Sequence, residues 1–143
     1  MVNGVVYVDS GDHDLYALYA ASGTVQWTYQ TGSITGSSPE VGSGVVYIGS
    51  FDGNLYALDE ASGTKKWAYQ TGSRAMFSPT VANGVVYVGS NDRNVYALDA
   101  ATGTKKWIYR TGSLVESSPA VADGVVYVSS NDGDVYAFYL PGT

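Results

Sequence analysis

Gly-Val-Val-Tyr-Val/Ile stands at Gly4–Val8, Gly44–Ile48, Gly84–Val88 and Gly124–Val128, each copy forty positions after the last. A fixed period of about 40 residues marks a repeat array, in which each unit covers its apolar faces with its neighbours. Other landmarks keep the register without insertion: Tyr16, Tyr56, Tyr96 and Tyr136; Trp27, Trp67 and Trp107; Ser38-Pro39, Ser78-Pro79 and Ser118-Pro119. The units consist of short runs rich in Val, Tyr, Ile, Trp and Thr, bounded by Gly, Asp, Asn, Ser and Pro. This is strand and turn chemistry with no helical periodicity.

Four strands per unit are expected. The spacing predicts strand one over Ser118 to Ala122, strand two over Val125 to Ser129, strand three over Asp134 to Tyr139, and strand four over Lys105 to Thr111. Asn83-Gly84 and Asp123-Gly124 are two-residue hairpin signals, because both central residues of a type I′ turn need positive φ. Asp52-Gly53 and Asp132-Gly133 mark the next hairpin, and Ser62-Gly63 and Thr102-Gly103 the turn into strand four. Val125-Val126-Tyr127-Val128 and Val95-Tyr96-Ala97-Leu98 are apolar at consecutive positions, so both faces of these sheets are expected to be buried. Four-stranded antiparallel sheets covered on both faces by copies of themselves describe β-propeller blades. A β-solenoid is the runner-up, although its coils are usually shorter.

Ala97-Leu98-Asp99-Ala100-Ala101-Thr102-Gly103-Thr104-Lys105-Lys106-Trp107 resembles the Ala-x-Asp-x-x-Thr-Gly-x-x-x-Trp tryptophan-docking motif of propellers of the pyrroloquinoline quinone (PQQ) type, and Ala57 to Trp67 matches with Ser62 for Thr. The resemblance covers the whole chain, 1–143, read as one PQQ-like propeller domain or partial propeller, WD40-like in its blades. Trp27, Trp67 and Trp107 are expected to lie across the interface with the next sheet, where Gly23, Gly63 and Gly103 leave room for a ring. Burying one indole removes roughly 150 to 250 Å² from water, worth on the order of 4 to 6 kcal/mol as an upper bound.

Three periods of forty leave twenty-three residues, so the chain holds about three and a half blades. Propellers have about four to eight, and an open arc leaves apolar blade faces in water. Self-association to complete a ring, membership of a longer propeller, and closure as a small four-bladed ring are the three explanations. The Met1 start and the altered last copy, with Tyr139 in place of the motif Asp and Pro141 ending the ladder, favour a homodimer. Tyr19 makes the first copy like the last, so the two ends are expected to meet, giving eight blade units, or six if a redundant hairpin is displaced.

The net charge of -6 argues against nucleic acid, which requires clustered Lys and Arg. No cysteine is present, which excludes disulfides and thiol chemistry. No apolar run approaches a membrane span, and Met1-Val2-Asn3-Gly4 enters a strand without a signal peptide. The compartment is therefore open, extracytoplasmic if the chain derives from a longer PQQ-like protein. Lys65-Lys66 and Lys105-Lys106 read as a solvated rim.

The resemblance implies, for the quinoprotein dehydrogenases, a cofactor on the axis with calcium, a catalytic Asp and often a vicinal cysteine pair. None can be placed here, so no catalytic residue, cofactor or metal ligand is assigned. His13, opposite Gly53, Arg93 and Gly133, reads as a turn substitution. Asp9, Asp12 and Asp14, and Asn131, Asp132 and Asp134, offer oxygen ligands for calcium, but Asp and Asn also favour such turns for backbone reasons.

The connection from strand four to the next strand one varies most. It reads Ile34-Thr35-Gly36-Ser37, Arg74-Ala75-Met76-Phe77 and Leu114-Val115-Glu116-Ser117 between constant Thr-Gly-Ser and Ser-Pro flanks. A constant frame with a variable loop is how a scaffold presents a binding surface. Ile34, Arg74, Met76, Phe77, Leu114 and Glu116 are the expected contact residues, since Met, aromatics and Arg anchor protein interfaces. The leading function is a non-catalytic protein-interaction scaffold, as the resemblance implies for outer-membrane assembly lipoproteins and receptor sensor regions. The alternative is a small-ligand or carbohydrate module using the repeated aromatic faces.

Overall fold

Asn83 and Gly84 take φ of 49° and 74°, and Asp123 and Gly124 take 50° and 77°, the pair of left-handed residues that a type I′ turn demands. Asn3-Gly4 and Ser43-Gly44 do the same, so every unit opens with one tight hairpin. The second hairpin places a single residue at strongly positive φ: Gly53 and Gly133 in two units, and His13 at 76° and Arg93 at 73° in the others. His13 thus holds a turn position that glycine fills elsewhere in the chain.

The computed structural model describes residues 1–33, 35–74 and 77–140. Among these, β1 (Val5–Asp9), β2 (Asp14–Tyr19) and β3 (Val25–Gln30) form the first sheet. The second holds β4 (Glu40–Gly42), β5 (Val45–Gly49), β6 (Asn54–Asp59) and β7 (Lys65–Gln70), and the third β8 (Thr80–Ala82), β9 (Val85–Gly89), β10 (Asn94–Asp99) and β11 (Lys105–Arg110). β12 (Ala120–Ala122), β13 (Val125–Ser129) and β14 (Val135–Tyr139) make the fourth. All neighbours are antiparallel, and the short strand β8 lies beside β4 on one side and β12 on the other, at the hub. The chain is an open arc of propeller blades, the outer two with three strands each. Val2 bridges Val5 across the Asn3-Gly4 turn as a stub of strand one in the first blade.

Strand one is shorter than the expected Ser118 to Ala122. Pro119 has no N–H for a ladder, and its carbonyl accepts from Thr80 Oγ1 at 2.6 Å, leaving only Ala120–Ala122 paired with β13. Strand four stops one residue early because Thr111 Oγ1 turns inward to the carbonyls of Arg93 and Ser113. β14 starts at Val135 rather than Asp134, whose N–H is bound to Asp132 Oδ1. Pro141 lies outside the described residues.

The cores lie between blades. Val5, Leu15, Ala17 and Trp27 of the first blade pack on Val46, Ile48, Tyr56 and Leu58 of the second. Val45, Tyr47, Leu55, Ala57 and Trp67 then meet Val86, Val88, Tyr96 and Leu98 of the third. Val85, Tyr87, Val95 and Ala97 meet Val126 and Val128 of the fourth. Burial on both faces holds throughout β5 and β9. It fails at the ends: Val8 is 41% and Val135 68% exposed, where their counterparts Ile48 and Val95 are fully buried. The arc therefore does not close on itself as a small four-bladed ring.

Trp27 Nε1 donates to the Glu60 carbonyl at 2.9 Å and Trp67 Nε1 to that of Ala100 at 3.1 Å, in each case on the following blade. A β-carbon on Gly63 would lie 2.6 Å from the Trp27 ring, and one on Gly103 2.6 Å from Trp67. Gly23 has the same left-handed φ but nothing within 4 Å, since the described chain places no indole over it. Trp107 is only half-buried and packs on Phe138, ring centroids 4.8 Å apart.

Gly63→Ala and Gly103→Ala should each destabilise by about 2 to 5 kcal/mol, a left-handed residue plus an overpacked indole, while Gly23→Ala carries only the first cost of about 1 to 2 kcal/mol. Urea unfolding of the three variants measures this. Equal losses at all three sites would remove the indole contact as a cause.

Candidate interaction site

At one end of the arc the connections between blades cross the tips of the second hairpins. Their frame is fixed by hydroxyls. Thr31, Thr71 and Thr111 are buried, and each Oγ1 bonds the carbonyl of the hairpin-tip residue, His13, Gly53 and Arg93 respectively. Ser37 Oγ donates to the Gly49 carbonyl at 3.2 Å and accepts from Gly49 N at 3.0 Å. Ser117 does the same with Ser129. In the second connection Phe77 stands at this position, which removes the hydroxyl anchor.

On that frame Arg74 and Glu116 are exposed, while Phe77 and Leu114 are half-buried. Arg74 lies over the Phe51 ring, 5.4 Å from its centroid. Phe51 in turn lies against Gly36, where a β-carbon would come within 2.6 Å of its ring edge. Glu116 Oε2 accepts from Asn131 Nδ2 at 2.7 Å, and the Leu114 carbonyl accepts from Asn131 N at 2.9 Å. Val115 is fully buried against Gly89, so this connection alternates between core and surface. Ile34 and Met76 lie outside the described residues. Phe51 escaped the sequence reading, although its divergence from Gly11, Asn91 and Asn131 at the same position was a visible signal.

The acidic turn residues have a different occupation from metal binding. Asp52 Oδ1 accepts from Asn54 N at 2.8 Å, while Oδ2 accepts from the Tyr56 hydroxyl and from Gly32 N of the preceding blade at 3.0 Å. Asp92 repeats this with Asn94, Tyr96 and Gly72, and Asp132 with Asp134, Tyr136 and Gly112. Asp12 holds its own turn and Tyr16. Burial, reinforced by the Asp hydrogen bond, pushes Tyr56 and Tyr96 up to about 12. The bond to Asp132 raises Tyr136, and the reciprocal bond holds Asp132 below the usual carboxylate range.

At the opposite end, grooves of about 460 and 520 Å³ open between the first two blade pairs. Asn3, Val5, Tyr7, Gln26 and Glu60 line one; Ser43, Val45, Tyr47, Lys66 and Ala100 line the other, at the same positions forty residues on. Burial and then the Glu60 carboxylate push Tyr7 up to about 12. Tyr47 donates to the Ala100 carbonyl at 3.0 Å. Lys66 and Lys106 are exposed and pair loosely with Asp59 and Asp99, at 3.9 and 3.6 Å.

The blades, their docking geometry and the 40-residue register define a PQQ-like repeat β-propeller. The family model described as outer membrane protein assembly factor BamB matches residues 1–78 and 72–140, and the chain belongs to that family. BamB from Moraxella catarrhalis is 27% identical and superposes with a TM-score of 0.86 over 96% of this chain and 43% of its own. This chain thus spans less than half the length of that relative. The computationally designed Ika4 protein shares the fold at 17% identity, TM-score 0.87, over 98% of this chain and 88% of its own. So does the quinohemoprotein alcohol dehydrogenase ADHIIG from Pseudomonas putida HK5, at 22% identity and TM-score 0.82, over 91% and 27%. No curated protein matches the sequence.

The residues present do not fit a quinone cofactor with its calcium ion. The sequence has no cysteine, the turn carboxylates are occupied as described, and among the described residues no three His, Asp or Glu side chains converge on one point. No helix among them is long and apolar enough to cross a membrane.

The tyrosine shifts set an alkaline limit. Unfolded Tyr56 and Tyr96 ionise near 10 and the folded ones near 12, so their stability contribution is complete below pH 10 and is lost as pH rises towards 12. Asp92→Asn should lower stability at neutral pH by about 1 to 3 kcal/mol and flatten this alkaline fall. Urea midpoints across the range, with tyrosinate absorbance, read both; an unchanged slope would show that Asp92 does not hold Tyr96 protonated.

Proposed function

We propose that this chain is a non-catalytic β-propeller scaffold that binds protein partners through its hairpin-tip end and completes its ring by self-association. The observation that carries the first half is the constant frame of buried threonines, Thr31, Thr71 and Thr111, bearing a different side-chain set in each connection. Arg74 stacked on Phe51, and Glu116 braced by Asn131, present one cation and one anion beside half-buried apolar groups. That mixture of an apolar base with oriented charges suits a protein surface. Kinship with an outer membrane protein assembly factor supports a protein partner and an extracytoplasmic location. Ile34 and Met76 belong to the same proposed surface by their place in the sequence.

A ligand-binding reading draws support from the repeated grooves at the other end, where Tyr7 and Tyr47 recur in register. It predicts equal sites that tolerate changes at Arg74 and Glu116.

Photoreactive residues in place of Arg74 or Glu116, and of Ala61 or Ala101 at the groove end, separate the two in an envelope extract. The scaffold reading expects adducts of one discrete protein from positions 74 and 116 alone, suppressed at least tenfold by an excess of unlabelled chain but not by an excess of chain carrying Arg74→Ala with Glu116→Ala. Adducts spread evenly over both ends would overturn it, as would saturable saccharide binding with unlabelled hairpin tips.

A further inference from the structure

We infer that a second copy of this chain docks head to tail, the free face of the fourth blade of each copy on the free face of the first blade of the other. This rests on the self-association proposed above and specifies its interface. Every blade has two unlike faces. One carries Val, Tyr, Leu or Val, and Ala, as in Val45, Tyr47, Leu55 and Ala57; the other carries Val, Ile or Val, Tyr, and Leu, as in Val46, Ile48, Tyr56 and Leu58. All three internal interfaces join a face of the first kind to a face of the second.

The two open faces are one of each kind. The fourth blade presents Val125, Tyr127, Val135 and Ala137, with Tyr127 40% and Val135 68% exposed. Their counterparts in the third blade, Tyr87 and Val95, are buried to 1% and 0%. The first blade presents Val6, Val8, Tyr16 and Leu18, whose counterparts Val46, Ile48 and Leu58 are fully buried. Each face thus already has a tested partner inside the same molecule, and that partner is the opposite face. Like-to-like docking has no precedent among the three interfaces.

A head-to-tail contact closes only if the arc is the right fraction of a ring, and otherwise builds open fibres. This chain covers 43% of the length of the BamB chain it superposes on, so two copies together equal most of that chain's length. β13 and β14 remain packed on the third blade, so all four sheets of each copy count and the closed assembly has eight blade units. The chain order around it is first to fourth blade, then first to fourth again, which sets the two first blades on opposite sides.

The test uses the whole chain. Light scattering should give a mass twice that of the 15.1 kDa polypeptide. Val8→Asp and Val135→Asp change exposed positions on the two faces, and each alone should shift the mass to one chain while circular dichroism stays unchanged. Mixing the two should restore a twofold mass at higher concentration, because one of the two junctions then joins unaltered faces; like-to-like docking leaves no unaltered junction. A single spin label, introduced as Ser22→Cys in this cysteine-free chain, should report a partner label across the ring. It should not report one at neighbouring-blade range, about 10 Å per sheet. A single-chain mass for the unaltered protein overturns self-association itself. A dimer that mixing does not restore, or whose labels are close, leaves self-association standing and overturns the head-to-tail junction, and a polydisperse mass overturns ring closure.

Discussion

An apolar sheet with two dry faces cannot exist alone, and in this chain every blade answers that constraint with its neighbours. The contact is asymmetric: an indole from strand four of one blade reaches over a glycine of the next and donates to a carbonyl there, Trp27 to Glu60 and Trp67 to Ala100. Glycine is needed for two reasons at once, since Gly63 and Gly103 combine positive φ with a ring at 2.6 Å from an added β-carbon. The tight turns, the strand lengths and the forty-residue spacing all serve to deliver those faces in register. Where the neighbour is missing, at Val8 and Val135, the same residue types stand in water.

A second, polar contact runs in parallel. In the second, third and fourth blades the Asp of the second hairpin gathers its own turn, its own tyrosine and a backbone N–H of the preceding blade. A charged carboxylate accepting from a neutral phenol makes a charge-assisted hydrogen bond, stronger than one between two neutral groups. This occupation explains why acidic residues recur at hairpin tips without converging on a metal. It also leaves the hairpin tips stiff beneath the variable connections, so Arg74 and Glu116 are displayed from a firm base.

The fold was legible because its signals are local and repeated. Asn83-Gly84 and Asp123-Gly124 name their turn type, and the unbroken apolar runs of β5 and β9 state that both faces are covered. Strand ends were less visible, since Pro119, Thr111 and Asp134 break the ladder through side-chain and carbonyl bonds that only the folded chain brings together. Divergence at Arg74 and Glu116 located the variable end. It could not show that Val115 turns inward onto Gly89, because alternation in an irregular connection follows from contacts, not from period. Phe51 was missed for a related cause: it acts with Gly36 and Arg74, fifteen and twenty-three positions away in sequence.

The Asp clamp joins consecutive units only, as do the indole contacts, so each of these bonds crosses one blade boundary. Stability in such a chain approximates a sum of unit terms and boundary terms. The second and third blades share two boundaries each, while the first and fourth have one and lack a strand. Fewer boundary terms hold the outer blades than the central pair, which sets the free energy of local opening lowest at the two ends of the sequence. A linear arc frays from both ends, and bending it into a closed ring would abolish the fraying ends altogether.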